Sequence, residues 1–207
     1  MHRLYKFLIP HPSFLYFRPM FRERNLISEK GGWIEVICGS MFSGKTEELI
    51  RRLRRAEIAR LPVQVFKPAA DVRFSQGEVV SHNAGKWTCI PVPSAAAILE
   101  KATPGAVVGI DEAQFFDHAL PEVAVELARR GCRVIIAGLD MDFSGKPFGP
   151  MPQLLAIAEY ITKLHAICVK CGGLANFSFR KNAATDTLQL GAGESYEPRC
   201  RHCYEEG

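Results

Sequence analysis

The chain of 207 residues lacks long apolar runs, a disulfide framework and a strong excess of either charge. No apolar run approaches the ~20 residues that a membrane-spanning helix requires, so we expect no membrane partner. The seven cysteines are an odd number with no disulfide pattern, which is typical of a protein of the reducing cytoplasm. The net charge of +4 is mild and predicts no nucleic-acid partner by itself. With 47% hydrophobic residues, the composition is that of an ordinary globular protein.

Much of the positive charge lies in one predicted helix, which carries Arg51, Arg52, Arg54, Arg55 and Arg60. Such a row is either a nucleic-acid surface or a solvated helix face. Glu47 and Glu48 precede Arg51 and Arg52 at the i,i+4 spacing that favours helical ion pairs. We therefore favour the solvated face.

The first thirty residues differ from the rest of the chain. Their apolar pieces are split by Pro10 and Pro12, so they lack the unbroken core of a secretory signal. We expect residues 1–30 to be a disordered extension, with an organelle-targeting segment or an upstream start codon as alternatives. We further predict a nucleotide-binding domain over 31–164 and a smaller, cysteine-bearing unit over 165–207.

Strand-like and helix-like stretches alternate from residue 32 onward. Apolar runs predict strands over 33–38, 63–66, 87–92, 106–110 and 132–137. Helical patterns cover 47–60, 95–101 after a Ser94 cap, and 120–130 with Gly131 as the stop. This alternation predicts an α/β fold with a parallel sheet covered on both faces.

A phosphate-binding loop follows the first predicted strand. Its pattern G-x-x-x-x-G-K-[ST] is matched by Gly39, Ser40, Met41, Phe42, Ser43, Gly44, Lys45 and Thr46. The glycines allow backbone N–H groups to approach phosphate oxygens, Lys45 reaches the β- and γ-phosphates, and the Thr46 hydroxyl suits Mg²⁺. The preceding strand and the following helix supply the expected context, so the sequence predicts binding of a nucleoside triphosphate with Mg²⁺.

A carboxylate pair directly follows the strand predicted over 106–110. An acid at this position downstream of a phosphate loop is typical of a Mg²⁺ ligand, which we assign to Asp111. Glu112 is then placed to accept a proton from an attacking hydroxyl or water. We expect Ala113 and Gln114 to complete this nucleotide-binding run. The residues alone do not decide between water, as in an ATPase, and a substrate hydroxyl, as in a kinase.

Four cysteines form two C-x-x-C pairs near the end of the chain: Cys168, Cys171, Cys200 and Cys203. In a reduced protein, this arrangement predicts a tetrahedral structural zinc site, with His202 as an alternative fourth ligand. About 28 residues separate the pairs, more than the usual 15–20. We expect the metal to anchor a mobile loop that closes over a substrate.

Together these signals resemble the type II thymidine kinases from residue 32 to 204. The resemblance rests on the phosphate loop, the D-E-A-Q-F-F run at 111–116, Gly138-Leu139-Asp140, Phe143, K-P-F-G at 146–149 and the paired cysteines with Tyr196 and Tyr204. It implies a RecA-like domain with a zinc-bearing lid, and transfer of the γ-phosphoryl of ATP to the 5′-hydroxyl of thymidine or deoxyuridine, a salvage step for DNA synthesis. A homotetramer inhibited by the end-product triphosphate is implied as well.

The resemblance also assigns individual roles. Glu112 would be the general base, with Lys45 and Arg73 as further catalytic residues, although Arg73 is alternatively an ordinary surface charge. The nucleoside pocket would be formed by Met41, Phe115, Leu139, Phe143, Ser178, Thr187, Leu188, Gln189, Leu190, Gly191 and Tyr196. Leu139 and Phe143 are alternatively ordinary core residues. Ser178 stands where the family often has threonine.

Two other functions remain open at this point. The first is a DNA-stimulated ATPase of the RecA type with a zinc ribbon, in which Glu112 activates water and the arginine-rich helix binds DNA. The second is a zinc module that binds RNA and holds a nucleotide as a switch. The second is weakly supported, because the N-K-x-D motif is absent and residues 172–199 contain only three basic residues, Arg180, Lys181 and Arg199.

Overall fold

The computed structural model describes residues 31–69, 78–81, 85–181 and 195–207. The strands are β1 Trp33–Gly39, β2 Val63–Pro68, β3 Glu78–Ser81, β4 Gly85–Thr88, β5 Ile90–Val92, β6 Val107–Ile110, β7 Arg133–Gly138, β8 Tyr160–Leu164, β9 Ala166–Ile167, β10 Leu174–Ala175, β11 Phe177–Arg180 and β12 Tyr196–Arg199. The helices are α1 Lys45–Ile58, α2 Ala96–Lys101, α3 Leu120–Arg129, α4 Met151–Ile157 and α5 Arg201–Glu205, with a 3₁₀ turn at Ala113–Phe115. Among the helices of these ranges, none is long and apolar enough to cross a membrane.

The centre of the fold is a six-stranded sheet in the order β5-β2-β6-β7-β1-β8. All neighbouring strands are parallel, so the carboxyl ends of all six lie at one edge. Strand β7 separates β1, which leads into the phosphate loop, from β6, which leads into the carboxylate pair. The predicted parallel α/β architecture is confirmed, and both chemical motifs lie at the same edge of the sheet.

Helices cover both faces of this sheet. One apolar cluster joins the sheet to α2, α3 and α4, and a second joins the opposite face to α1. Alternate residues of β1 pack into the two clusters, as expected for a strand with both faces covered. Cys38, Cys89 and Cys132 are buried in these clusters, where each thiol packs as a small apolar side chain.

Three predicted boundaries differ from the structure. Helix α1 begins at Lys45, within the phosphate-loop motif, and ends before Arg60, whose φ is 59°. Ser94 makes no side-chain cap; instead, the Ala95 N–H donates to Asp117 Oδ2 at 3.0 Å. The strand predicted over 87–92 is divided, because β4 pairs antiparallel with β3 whereas β5 joins the main sheet.

The arginine-rich helix is not a uniformly solvated face. Arg51 is exposed and pairs with Glu48, as expected for a surface helix. Arg52 is buried beneath the helix, where its Nη1 donates to Glu35 Oε2 at 2.7 Å. Arg133 Nε donates to the other oxygen of Glu35 at 2.6 Å. The prediction of a solvated face was therefore wrong for Arg52, because its guanidinium completes a buried ion network on β1 and β7.

The described residues of the last part of the chain form only a small core of their own. Two short antiparallel pairs, β9–β10 and β11–β12, are followed by helix α5. The buried apolar cluster here consists of Ala166, Cys168 and Ala175, with Cys200 and Cys203 packed against it. Such a small cluster does not stabilise a folded unit by itself, so other interactions must hold these strands.

Candidate functional site

The phosphate loop requires both of its glycines. Gly39 has a φ of 145°, and a Cβ at this position would lie 2.2 Å from the Leu164 carbonyl oxygen on β8. Gly44 has a φ of 83° and caps the amino end of α1. The loop therefore turns directly from the carboxyl end of β1 into the helix, and the positive end of the α1 dipole faces the loop.

Hydrogen bonds to one carbonyl fold the loop around Lys45. The Ser40 carbonyl oxygen accepts from Lys45 Nζ at 2.7 Å and from Ser43 Oγ at 2.8 Å. Burial lowers the pKa of Lys45, while the negative charges of Glu112, Asp111 and Asp140 act in the opposite direction. The ammonium group is thus held inside the loop and near three acids from β6 and β7.

The two motifs meet through Thr46 and Asp111. Thr46 Oγ1 donates to Asp111 Oδ2 at 3.3 Å, and the Glu112 N–H donates to Asp111 Oδ1 at 2.9 Å. Burial and the neighbouring charge of Glu112 raise the pKa of Asp111 to about 7. A buried carboxylate beside a hydroxyl fits a divalent cation, because the ion favours the charged form of the acid.

The Gln114 side chain points inward and forms a hydrogen bond with Glu112. Its side chain is buried, and its Nε2 donates to Glu112 Oε2 at 2.5 Å. Its Oε1 accepts from the Leu139 N–H at 2.9 Å, which links the end of β6 to the end of β7. Ala113 is also fully buried. Glu112 itself has a φ of 52°, an uncommon conformation for a residue other than glycine.

Asp140 is a third acid at this edge, to which the sequence assigned no role. It follows β7, and its Oδ2 accepts from Lys163 Nζ at 2.7 Å. Its other oxygen is buried without a hydrogen-bond partner in the part of the chain that the structure describes. Its position directly after a buried apolar strand is the same signal that identified Asp111.

Several predicted pocket residues gather between the phosphate loop and the C-terminal strands. The Met41 N–H donates to Ser178 Oγ at 3.0 Å, and Ser40 Oγ donates to the Ala175 carbonyl at 3.4 Å. Leu139 is buried at the end of β7. Phe115 is partly exposed and packs edge-on against Phe148, with ring centroids 5.6 Å apart.

Phe143 and Tyr196 are joined by a residue that the sequence did not assign to the site. The Arg180 guanidinium lies 3.8 Å from the centre of the Phe143 ring. Its Nη2 also donates to Tyr196 Oη at 2.8 Å. Tyr204 makes a further contact, because its hydroxyl donates to the Phe143 carbonyl at 2.7 Å. Arg180 adjoins the predicted lid in the sequence, which is the signal that would have identified it.

Some predicted site residues lie outside the described part of the chain. These are Arg73 and the lid residues Thr187, Leu188, Gln189, Leu190 and Gly191. Their assignments stay predictions.

The four cysteines converge into one cluster. Their sulfur atoms all lie within 4.8 Å of one another, and the Sγ atoms of Cys171 and Cys200 are 3.6 Å apart. Four sulfurs bound to one zinc ion at ~2.3 Å would lie about 3.8 Å apart, so the geometry fits. His202 lies on α5 next to Glu206, with 3.3 Å between its Nε2 and Glu206 Oε1, and is not part of the cluster.

Hydrogen bonds within the cysteine cluster shift the thiol pKa values in opposite directions. The backbone N–H of Cys200 is the main cause that lowers the pKa of Cys168, to about 6. A hydrogen bond with Cys200 and burial raise the pKa of Cys203 to about 12. Four thiols this close cannot all ionise without a positive charge between them, which a bound metal ion would supply.

Comparisons with known proteins agree with this geometry. The family model described as thymidine kinase matches residues 32–204. A thymidine kinase of Bacteroides fragilis is 58% identical over 178 residues, which cover 86% of this chain and 89% of that protein. A thymidine kinase of Rhodothermus is 59% identical over 174 residues, covering 84% and 82% of the two chains. One from Porphyromonas gingivalis is 56% identical over 179 residues, covering 86% and 88%.

Proposed function

The chain belongs to the thymidine kinase family and phosphorylates thymidine, and we propose that it transfers the γ-phosphoryl group of ATP to the nucleoside 5′-hydroxyl. The observation that carries this proposal is the hydrogen bond between Thr46 and Asp111. It joins the phosphate loop to the acid pair, so a triphosphate bound on the loop would lie next to Glu112.

The phosphate loop and Asp111 would hold the Mg·ATP complex. Backbone N–H groups of residues 39–46 and the Lys45 ammonium would bind the phosphates, and Thr46 and Asp111 would hold Mg²⁺. The bound ion would neutralise charge that develops on the β- and γ-phosphates. The loop is already folded by the bonds to Ser40, so little reorganisation is required on binding.

Glu112 would accept the proton of the attacking hydroxyl. Gln114 Nε2 donates to one oxygen of its carboxylate and so holds the general base in place. The Gln114 amide oxygen accepts from the Leu139 N–H, which fixes the orientation of that carboxylate relative to β7. In this arrangement Arg73 would stabilise charge during transfer, as the family resemblance implies.

The nucleoside would occupy the space between the phosphate loop and the C-terminal strands. Phe115 and Phe143 supply flat apolar surfaces, which suit a pyrimidine base. The Met41–Ser178 hydrogen bond ties the loop to β11 at this point. We propose that residues 187–191 and Tyr196 close the pocket and read the edge of the base.

The four cysteines would hold a structural zinc ion. With four protein ligands the coordination is complete, so the ion stabilises the fold and leaves no vacant position for a substrate. From the family resemblance we propose four further properties. These are a homotetramer, inhibition by the end-product triphosphate, use of deoxyuridine and a cytoplasmic location.

Product analysis with purified protein, Mg·ATP and a panel of deoxynucleosides tests the reaction. We expect thymidine 5′-monophosphate and ADP in equal amounts. ATP hydrolysis stimulated by DNA, without a nucleoside monophosphate, would instead support the ATPase alternative. The structure does not favour that alternative, because Arg51 and Arg52 are engaged by Glu48 and Glu35.

A further inference from the structure

The loop that carries Phe143 is a closed unit. Residues 141–147, which we call the Phe143 loop, are bridged at their ends by an antiparallel pair between Met141 and Pro147. Within the loop, the Asp142 N–H donates to the Lys146 carbonyl at 2.8 Å. Asp142 Oδ1 also accepts from the Ser144 and Lys146 N–H groups at 2.8 and 3.0 Å. Because the loop is held internally, a contact at Phe143 orients the loop as a whole.

Two side chains of the C-terminal unit hold Phe143 from different sides. Tyr204 donates its hydroxyl hydrogen to the Phe143 carbonyl at 2.7 Å, while its ring stacks on Phe177 at 4.5 Å. The Arg180 guanidinium covers the Phe143 ring at 3.8 Å and is itself buried. A buried guanidinium stacked on a ring and bonded to a phenol is a fixed arrangement, not a transient surface contact.

These two side chains come from two different parts of the C-terminal unit. Tyr204 lies on the cysteine-bearing helix α5, and Arg180 lies at the end of β11, beside the predicted lid. Tyr204 directly follows Cys203 on α5, and its N–H donates to the Cys200 carbonyl at 3.0 Å. Arg180 ends β11 opposite Tyr196 at the start of β12, so this pair forms the base of the segment 182–194. Phe143 is therefore clamped between the cysteine-bearing helix and the base of the predicted lid.

We propose that Tyr204 and Arg180 are positioning residues that set the Phe143 ring against the nucleoside base. Neither contacts the reacting atoms, and both act through Phe143. The inference rests on the proposed function, in which Phe143 lines the nucleoside pocket. It predicts that loosening the clamp weakens nucleoside binding while ATP binding and proton transfer at Glu112 are preserved.

Removal of the Tyr204 hydroxyl is the sharpest test. Tyr204→Phe keeps the stacked ring and loses one hydrogen bond, so KM and calorimetric Kd for thymidine should rise about three- to tenfold. We expect kcat and the KM for ATP to change less than about twofold, and zinc content to stay the same. Tyr160→Phe deletes a hydroxyl at the opposite edge of the sheet and should leave thymidine binding unchanged. Unchanged thymidine binding in Tyr204→Phe would overturn the proposal.

Arg180→Lys tests the second half of the clamp. An ammonium keeps the charge but cannot stack flat on Phe143 while bonding to Tyr196, so thymidine affinity should fall by about the same factor. Wild-type thymidine affinity in Arg180→Lys would remove Arg180 from the proposal.

Phe143→Ala separates failure of this inference from failure of the proposed pocket. If Phe143→Ala weakens thymidine binding and both clamp variants do not, the clamp is refuted and the pocket stands. If Phe143→Ala has no effect, the pocket assignment fails and the clamp fails with it. If the wild-type protein yields no thymidine monophosphate, the reaction itself is refuted.

Discussion

The phosphate-loop edge of the sheet and the C-terminal cysteine unit are held together in different ways. The first rests on a sheet whose strands β6 and β7 are buried along their whole length between helices on both faces. Among its described residues, the second has a buried apolar cluster of three and depends on stacked rings, guanidinium contacts and four converging sulfurs. A preorganised phosphate site requires a rigid core, whereas a unit that admits and releases a substrate is better served by a few local anchors.

Replacement of Glu112 should have the largest effect on turnover. It should change the chemistry at the carboxyl edge of the sheet and leave the C-terminal unit unaffected. We expect Glu112→Gln to lower kcat by about 10²–10⁴-fold, because the amide cannot accept the proton. The amide oxygen can still accept from Gln114, so the KM for ATP should be nearly unchanged. Steady-state kinetics and ATP binding by calorimetry measure both quantities. Turnover near the wild-type rate would remove Glu112 from the role of base.

Breaking the ion network under α1 should destabilise the sheet without changing the chemistry. Glu35→Gln removes the buried carboxylate that Arg52 and Arg133 share and leaves Arg52 with Glu48, so the free energy of unfolding should fall by about 3–5 kcal/mol. Glu126→Gln is a matched control at an exposed pair with Arg130, where the loss should be below about 1 kcal/mol. Urea unfolding measures both variants, and equal losses would show that burial of the network contributes nothing.

The same network predicts how stability changes with pH. Burial raises the pKa of Glu35, but hydrogen bonds and charges from Arg133 and Arg52 outweigh it and leave the pKa below its ordinary value of 4.5. Stability from this group is therefore fully present above pH 4.5 and is lost as the pH falls through the folded-state pKa. Unfolding free energies measured below pH 4.5 should decline more steeply for the wild type than for Glu35→Gln.

Loss of one cysteine should affect the C-terminal unit and spare the sheet. We expect Cys200→Ser, and likewise Cys171→Ser, to lower zinc affinity by at least about 10–100-fold and to raise the KM for thymidine. Metal analysis and hydrogen exchange test this, with faster exchange in β11, β12 and α5 and unchanged exchange in β1, β6 and β7. Full zinc occupancy in both variants would refute the four-cysteine site.

The smallest expected effect concerns the link between the two regions. Ser178→Ala removes the acceptor of the Met41 N–H, a change of about 0.5–1.5 kcal/mol. Because Met41 belongs to the phosphate loop and Ser178 to β11, we expect KM to rise a few-fold for both ATP and thymidine. A rise in KM for only one of the two substrates would show that this hydrogen bond does not couple the phosphate loop to β11. Thr103→Val, at an exposed position before the amino end of β6, is the control for loss of a hydroxyl.

The sequence was informative where neighbouring residues carry the signal. The phosphate loop, the acids after β6 and the cysteine pairs were all identified from short spacings, and the alternation of strands and helices predicted the parallel sheet. The boundaries of α1 and the division of β4 from β5 were not predicted, because they depend on loop geometry and strand pairing. The Ser94 cap was wrong because a distant side chain, Asp117, provides the hydrogen bond.

The sequence by itself indicated the chemical groups of this protein: a loop with the phosphate-binding pattern, the acids that follow a buried strand and the four cysteines that cluster. Only the tertiary structure decided how those groups are held. Arg133 reaches Glu35 from 98 residues away, and Tyr204 reaches Phe143 from 61 residues away. Local patterns follow from covalent spacing, whereas these contacts follow from strand order and packing, which bring distant residues together without any mark in the sequence near either one.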